Sequence, residues 1–315
     1  MEFGSDIDYN NQSLSGFPYC FTKDGLLCHK VTGELYVFRF DCHDVQGTQR
    51  EQATLCGFIT TYVYNILEHH LQLQRAFLPH DEGFVYMSPG ALQNKRALLV
   101  LVQDRGTMCC GVWSWRMVVR EGLRRGGQIL YVLWAMAEGW AVLLVNPNEG
   151  GLSPEEHVCR VWDCLISQSA AEHIVMVAHG YGGLAFVDLL CRRAEAVESR
   201  VSAVAFIDSS HNVWHQPLRV DGRGWLRSHS RRWVLSSKPL NGPVGTLRAG
   251  MQLSAGTLCH DSAPAACMES VFRFFTKAIR PRAPPTPFSI VTRSRSMRLA
   301  QDRDMRAGNG HHHNK

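Results

Sequence analysis

One short segment constrains the fold of this chain more than any other. It reads I-V-M-V-A-H-G-Y-G-G-L-A-F from Ile174 to Phe186, which is a strand-forming run, a glycine-rich turn and a helical run. This is the layout of a nucleophile elbow, in which the central residue of G-x-S-x-G lies at a sharp, strained turn from strand to helix. Gly180 is the residue at that central position. The alternative interpretation is a tight turn such as any α/β protein contains.

Glycine at the apex of an elbow favours the backbone geometry of the turn but supplies no nucleophilic side chain. Glycine adopts left-handed dihedrals at little cost, whereas an ordinary residue held there pays about 1–3 kcal/mol. It carries no nucleophile, however, and His179 and Tyr181 flank the apex instead of occupying it. The covalent step of a serine hydrolase is therefore absent from Gly180. We expect a degenerate hydrolase that is not an enzyme.

The hydrophobic pattern of the rest of the central region predicts a parallel sheet covered by helices on both faces. Short, continuous apolar runs alternate with helical segments, as buried parallel strands require. A capping box of Ser153 and Glu156, with Pro154 between them, marks one helix start. The fold class predicted is α/β, similar to the α/β-hydrolases. The predicted strands are Ala97–Val102, Ala141–Asn146, Ile174–Ala178 and Val201–Ile207, and the predicted helices are Gln49–Glu68, Gly127–Ala137, Pro154–Gln168, Gly183–Arg193 and Ser270–Ala278.

Two residues follow Gly180 in the order that a catalytic triad would have. Asp208 ends the predicted strand Val201–Ile207, and His260 precedes the last predicted helix. We take both as candidate remnants of a triad, the alternatives being an ordinary turn for Asp208 and a surface loop for His260. The loop after the strand Ala97–Val102 reads Gln103-Asp104-Arg105-Gly106 instead of a His-Gly type of oxyanion loop. A carboxylate of Asp104 that faced the site would oppose a developing negative charge.

Metal and cofactor sites are not predicted. His211 and His215 have the spacing of a helix-borne metal pair, but Asn212 stands where the H-E-x-x-H motif has glutamate, so we favour packing around Trp214. The eleven cysteines contain no C-x-x-C pair, which argues against a zinc ribbon and a disulfide framework. Three further histidines, His311–His313, lack a Cys or carboxylate partner.

Charge and composition divide the chain into three parts. We predict a flexible N-terminus (1–22), an α/β domain (23–280) whose first part, Lys23–Phe40, is hairpin-like, and a disordered tail (281–315) rich in Arg, Pro and Ser. The tail holds the whole net charge of +5, so nucleic acid would bind at most through it. The apolar stretch Ile129–Val145 is interrupted by Glu138 and Gly139 and is predicted to be helix, turn and strand, with no membrane span.

Several short sequence blocks stand out along the chain. They are Asn146-Pro147-Asn148-Glu149, Ser153–His157, Val177–His179 with Tyr181–Phe186, Asp208 with His211–Gln216, Ser254–Thr257 with His260, and Phe272–Thr276. These blocks resemble those of the Argonaute-binding or Arb2 domain family, and particularly its vertebrate cotranscriptional-regulator branch. The resemblance extends from about Gly16 to Ala278. In vertebrate relatives a long charged insertion stands where this chain has only Gly150-Gly151-Leu152.

The resemblance implies an α/β-hydrolase-like domain and work as a nuclear scaffold. It implies protein partners, namely Argonaute, chromatin and splicing factors, with roles in alternative splicing and small-RNA-linked heterochromatin. Relatives commonly have Ser where Gly180 stands and His-Gly where Gln103 and Asp104 stand, so this chain looks like a paralogue without the nucleophile. We therefore expect a non-catalytic, nuclear cotranscriptional regulator, with a cytoplasmic pool and a weak serine-independent hydrolase as the alternatives.

Overall fold

The fold is built on an eight-stranded sheet, seen in a computed structural model that describes residues 17–39, 41–211, 216–245 and 252–280. The chain divides after Ile279, and the unit that ends there contains the sheet. A separate antiparallel hairpin consists of β1 (Tyr19–Phe21) and β2 (Leu27–His29). The sheet strands are β3 (Gln74–Phe77), β4 (Phe84–Met87), β5 (Ala97–Val102), β6 (Ala141–Leu144), β7 (His173–His179), β8 (Val201–Ile207), β9 (Ser230–Val234) and β10 (Gln252–Ser254).

The strand order identifies the fold class. From one edge of the sheet to the other the order is β3-β4-β6-β5-β7-β8-β9-β10. Strand β4 pairs antiparallel with β3 and β6, and the other neighbouring pairs are parallel. One reversed strand near the edge and one exchange of order, at β6 and β5, are the topology of the α/β-hydrolase fold. The predicted fold class is confirmed.

Helices cover both faces of the sheet, as the buried strands require. Along β5, Leu99 and Leu101 contribute to the core on one face, while Leu98 and Val100 contribute to the core on the other. The first core includes residues of α1, α2, α3, α4 and α9, and the second includes residues of α5, α6, α7 and α8. The helices are α1 (Val45–Asn65), α2 (Trp115–Glu121), α3 (Leu123–Gly126), α4 (Ile129–Ala137), α5 (Pro154–Cys164), α6 (Gly182–Arg192), α7 (Ala194–Arg200), α8 (Val220–His229) and α9 (Ala263–Ile279).

The central elements match the sequence predictions closely. Strands β5 and β8 have the predicted bounds, and both are almost wholly buried. Helix α5 begins at Pro154 with the predicted capping box, in which the Ser153 hydroxyl accepts from the backbone N–H of Glu156 and the Glu156 carboxylate accepts from Ser153. The interrupted stretch Ile129–Val145 is α4, a turn and β6, as predicted. These elements carry their own start and stop signals in the sequence.

Several predicted boundaries are wrong, most of them by one or two residues. Strand β6 ends at Leu144 because Asn146 already belongs to the following loop, where its amide donates to Glu149 Oε2 at 2.8 Å. Helix α5 ends at Cys164, with a separate 3-10 turn at Ile166–Gln168. Helix α1 starts earlier than predicted, since the Asp44 carboxylate caps it by accepting from the Gly47 N–H at 2.8 Å, and it continues into a π-helical turn, Ile66–His70.

Helix α9 also starts earlier, at Ala263, and the hairpin lies earlier than predicted. Pro264 falls in the first turn of α9, where a missing N–H costs little. The hairpin comprises β1 and β2, so Tyr19–Phe21 is a strand inside the segment predicted to be flexible. Phe21 is buried against the rings of Phe58 and Tyr62 on α1, and this packing holds the hairpin to the domain. The remaining domain boundaries stay predictions, and the predicted tail lies outside the described residues.

Candidate functional site

Gly180 lies at the bend between β7 and α6, with φ at +53°. Its N–H donates to the carbonyl of Ile207 at 3.1 Å, and its carbonyl accepts from the N–H groups of Gly183 at 3.2 Å and Ser210 at 2.9 Å. The turn is therefore tied to the end of β8 on one side and to the first turn of α6 on the other. In this left-handed conformation glycine avoids the steric cost that a side chain would bring. The backbone has the form of an elbow.

The volume beside Gly180 is occupied by the carboxylate of Asp104, from the loop that follows β5. A Cβ atom on residue 180 would lie 2.3 Å from Asp104 Cγ, far inside contact distance. Two positions that are distant in sequence thus compete for one volume. Asp104 faces the site, as the sequence analysis considered, and its carboxylate lies where the side chain of a nucleophile would begin.

Asp104 also engages the two donors of an oxyanion hole. In α/β-hydrolases these are the N–H of the residue after the nucleophile and an N–H from the loop after an early strand. The corresponding groups here are the N–H of Tyr181, 2.5 Å from Asp104 Oδ1, and the N–H of Arg105, 2.8 Å from the same oxygen. A carboxylate of the chain itself therefore takes the hydrogen bonds that would stabilise a substrate oxyanion.

The second oxygen of Asp104 connects to the predicted histidine and acid. His260, in a 3-10 turn just before α9, has its Nε2 2.9 Å from Asp104 Oδ2 and its Nδ1 2.7 Å from Asp208 Oδ2. Asp208 directly follows β8. The structure thus brings Gly180, Asp208 and His260 together and adds Asp104, which sequence reasoning had not placed among the candidate residues. We call these four residues the closed centre.

The closed centre is held by charge. Hydrogen bonds to Asp104 and then to Asp208 raise the pKa of His260 to about 10, so this side chain is an imidazolium at neutral pH. Burial by itself would raise the pKa of Asp104, but the hydrogen bonds from His260 and the Tyr181 N–H outweigh it and the net shift is downward. The hydrogen bond from His260 likewise lowers the pKa of Asp208. A protonated His260 has no lone pair with which to act as a general base.

A second histidine lies directly against the first. The ring of His179, at the end of β7, is stacked on the ring of His260 with 4.3 Å between centroids. Burial, and after it the positive charge on His260, lower the pKa of His179 to about 4. His179 is therefore neutral beside a charged neighbour. His179 therefore packs against His260. It lies beside the apex of the turn, which is Gly180, as the sequence predicts.

The loop that carries Asp104 is fixed by an asparagine from the N-P-N-E block. Asn148 Nδ2 donates to the carbonyls of Asp104 at 3.0 Å and Met108 at 3.1 Å, and Asn148 Oδ1 accepts from the Gly106 N–H at 3.0 Å. Gln103, which is buried, donates from Nε2 to the same Met108 carbonyl at 3.0 Å. These bonds explain how the carboxylate is held in the elbow. The N-P-N-E block was recognisable in the sequence, but the spacing of its residues did not show that Asn148 contacts the loop of Asp104.

The other predicted contact residues have local roles. His211 Nδ1 lies 2.6 Å from Ser209 Oγ, and burial lowers the pKa of His211 to about 3. His215, Trp214 and His311–His313 lie outside the described residues. Within the described ranges no group of three or more His, Cys, Asp or Glu side chains is placed to hold a metal ion. No helix of the described part is long and apolar enough to cross a membrane.

Comparison with solved structures shows the fold. The histone deacetylase Clr3 matches with a TM-score of 0.56 at 19% identity, covering 78% of this chain and 41% of that chain. A histone deacetylase from Saccharomyces cerevisiae matches with a TM-score of 0.53 at 14% identity, covering 71% of this chain and 98% of that one. At such identities the likeness shows a shared fold and carries no information on activity.

Comparison with known sequences shows the family. The human cotranscriptional regulator ARB2A is 33% identical over 90% of this chain and 84% of its own length, and a homologue from Xenopus tropicalis is 34% identical over 87% and 82%. A human protein named putative protein ARB2BP is 32% identical over 90% of this chain and 94% of its own length. The Arb2 domain model matches residues 10–152 and 149–240, the greater part of the sequence. The chain therefore belongs to the Arb2 domain family.

Proposed function

We propose that this chain is a non-catalytic cotranscriptional regulator that uses a hydrolase fold to bind other proteins. The observation that carries the proposal is the position of the Asp104 carboxylate, which contacts His260 and accepts from the Tyr181 N–H. A serine hydrolase needs a nucleophile, a neutral histidine base and an open oxyanion hole. Here the first is replaced by Gly180, the second is protonated and the third is filled.

The same contacts disfavour the alternative of a serine-independent hydrolase. Such an enzyme would use His260 to deprotonate water, with Asp208 orienting the ring. A His260 whose pKa is raised to about 10 gives up its proton only in strongly alkaline solution. The carbonyl oxygen of a substrate would also have to displace Asp104 from two backbone donors, the N–H groups of Tyr181 and Arg105.

The regulatory role rests on the relatives, whose name is cotranscriptional regulator. Within that role we propose nuclear work through protein partners, with Argonaute, splicing and chromatin factors as the classes that the family resemblance implies. Alternative splicing and small-RNA-linked heterochromatin are the processes to test. The arginine-rich tail, residues 281–315, is where nucleic acid would bind, if it binds at all.

A test of catalysis uses the purified full chain with a fluorophosphonate probe and a panel of esters. We expect no labelling and no turnover above a heat-denatured sample, while an active serine hydrolase in parallel reports that the reagents work. Turnover in the wild-type chain that disappears in His260→Ala would overturn the proposal. Turnover that survives in His260→Ala would indicate a contaminating enzyme.

A test of the regulatory role compares partners. Proximity labelling in nuclei of cells that express this chain, or a relative with serine at the position of Gly180, should recover overlapping sets of proteins. An overlap rich in splicing, chromatin or Argonaute proteins supports scaffolding that is independent of chemistry. Exclusion of this chain from the nucleus, or an overlap no larger than that with an unrelated hydrolase, would contradict it. Deletion of residues 281–315 should abolish any retention on nucleic acid.

A further inference from the structure

An apolar groove lies beside the hairpin, and its lining includes none of the four residues of the closed centre. It has a volume of about 850 Å³ and is lined by the segment after β2 and by one side of α2. Leu35 and Val37 leave 57% and 66% of their surface exposed, and they line the groove together with other apolar side chains instead of standing singly. We call this surface the basic groove; its apolar lining includes Leu27, Leu35, Val37, Phe38, Trp115 and Val119.

Two arginines form the charged part of the basic groove. Arg116 and Arg120 are four residues apart on α2 and line the groove together. In the described ranges neither takes part in an ion pair, whereas Arg125 on the next helix is paired with Glu121 at 2.7 Å. The guanidinium of Arg116 lies over the ring of the neighbouring Trp115, 5.8 Å from its centroid.

The charge of the basic groove is net positive. Asp261 is the acidic member of the lining, against the two arginines, and Gln52 adds an uncharged polar group. Glu121, the nearest acid on α2, is already committed to Arg125. Among the described residues the two arginines have no carboxylate partner, and they lie beside an apolar floor. Such a surface is complementary to a peptide that carries both bulky apolar side chains and carboxylates.

We propose that the basic groove binds an acidic peptide segment of a partner protein, with its apolar side chains on the floor and its carboxylates on Arg116 and Arg120. The surface does not include Asp104, His260 or Gly180, so the inference holds whether or not the closed centre is active. Arginine is well suited to this role because its planar guanidinium binds a carboxylate through two parallel hydrogen bonds. The groove therefore gives a regulator without an active site a defined place for a partner.

The probe for the test is a fluorescein-labelled peptide of about twelve residues in which Asp or Glu alternates with Phe or Leu. Two matched peptides have Lys in place of every acid or Ala in place of every apolar residue. By fluorescence anisotropy the full chain should bind the first peptide, with an affinity that falls as NaCl rises, and should bind both matched peptides at least about tenfold more weakly. No binding of the first peptide overturns the proposal.

Variants of the chain locate the site. Arg116→Glu/Arg120→Glu should weaken binding by about tenfold or more, and Leu35→Asp on the exposed apolar part should do the same if the double variant fails to fold. Arg227→Glu/Lys277→Glu, on α8 and α9, changes the charge equally and should leave binding unchanged. Equal loss in both double variants would show general attraction between charges and overturn the proposal.

The same assay tests two other candidate occupants of the basic groove. Residues 1–16 contain Glu2, Asp6 and Asp8 and no Lys or Arg, so this segment of the chain is a competing acidic peptide. Tighter probe binding after deletion of residues 1–16 would assign the groove to that segment and overturn a partner. Concentration-dependent self-association that Leu35→Asp abolishes would assign it to a second copy, with the same consequence.

Discussion

His260 Nε2 lies 2.9 Å from Asp104 Oδ2, although the two residues are 156 positions apart in the chain. In a serine hydrolase this nitrogen takes the proton of the nucleophile. Here its N–H donates a hydrogen bond to an anionic carboxylate, so the contact is an ion pair in which no proton is transferred. The ion pair between His260 and Asp104 stabilises the folded chain. Its strength, and how it depends on the glycine at position 180, can be measured directly.

A side chain at position 180 should be tolerated only when Asp104 is removed. We expect Gly180→Ala to cost about 3 kcal/mol of unfolding free energy in the wild-type background, because a Cβ adds both a positive-φ penalty and the contact with Asp104. In an Asp104→Gly background the same change should cost about 1 kcal/mol, from the backbone alone. Urea unfolding of all four proteins gives the coupling. Equal costs in the two backgrounds would contradict the shared volume.

Reactivity should return only when both positions change. Asp104→Gly/Gly180→Ser should gain labelling by a fluorophosphonate, because it restores a hydroxyl and frees the N–H groups of Tyr181 and Arg105. Gly180→Ser alone should not be labelled, since Asp104 still holds both donors. Asp104→Gly/Gly180→Ala is the matched control without a hydroxyl. A folded double variant with serine that stays unlabelled would show that His260 and Asp208 are not arranged for catalysis.

The closed centre should make stability depend on pH in a defined direction. The folded pKa of His260, about 10, is above its ordinary value of 6.5, so its contribution is complete below pH 6.5 and is lost as pH rises toward 10. Asp104 and Asp208 have lowered pKa values, so their contribution is present above about pH 4 and is lost as pH falls further.

The comparison of the wild-type chain with His260→Gln isolates that contribution. The excess stability of the wild type should be greatest between about pH 4 and pH 6.5, amount to about 2 kcal/mol after allowance for the partial exposure of His260, and decline above pH 7. Urea unfolding across pH measures it, and the imidazole NMR signals of His260 should titrate near pH 10. A midpoint near 6.5 would contradict an imidazolium held by two carboxylates.

A small carboxylate should replace Asp104 when its side chain is removed. Asp104→Ala leaves the Tyr181 and Arg105 N–H groups and His260 without the carboxylate that accepts their hydrogen bonds, so a small carboxylate from solution can take its place. We expect the variant to lose about 1–3 kcal/mol of stability and to regain much of it in concentrated acetate, by mass action on the folded state. Chloride at equal ionic strength is the control, and the wild type should not respond. No specific recovery would argue that the donors do not form an anion site.

The capping box at α5 provides a prediction far from the closed centre. Ser153→Ala removes the hydroxyl that accepts from the Glu156 N–H at 3.3 Å and should cost about 1 kcal/mol in urea unfolding. Ser199→Ala, whose hydroxyl donates to a carbonyl at an exposed position, should change stability by less than about 0.5 kcal/mol. Equal effects of the two substitutions would show that the cap adds nothing specific.

The central sheet could be predicted from sequence because its strands need no partner to be recognised. Strands β5 and β8 are continuous apolar runs, and the turn at Gly180 is marked by its own glycines. Strand β3, by contrast, has the pattern Gln-Arg-Ala-Phe and is mostly exposed, and β9 contains two arginines, so neither carries an apolar signal. Strand β3 is at one edge of the sheet and β9 is next to the other edge. Both are specified by pairing with their neighbours, which spacing along the chain does not show.

For the candidate site, the sequence predicted which residues follow one another along the chain but did not predict the contacts between them. The sequence of Gly180, Asp208 and His260 indicated triad remnants, and the structure places their atoms within contact through Asp104. Nothing local marks Asp104 as the residue that fills the elbow, since its partners come from the bend between β7 and α6 and from the turn before α9. The sequence showed that the loop after β5 lacks His-Gly. That the Asp104 carboxylate fills the volume beside Gly180 could be seen only in the structure.

Because residues 104 and 180 share one volume, a side chain at the bend and the acid beside it exclude one another. A mutation that introduces serine at residue 180 meets the acid and weakens the fold. A mutation that removes the acid alone leaves the N–H groups of Tyr181 and Arg105 without their acceptor and His260 with Asp208 as its one carboxylate partner. Each single substitution therefore costs stability, and selection for a stable fold by itself keeps glycine and aspartate together at these two positions.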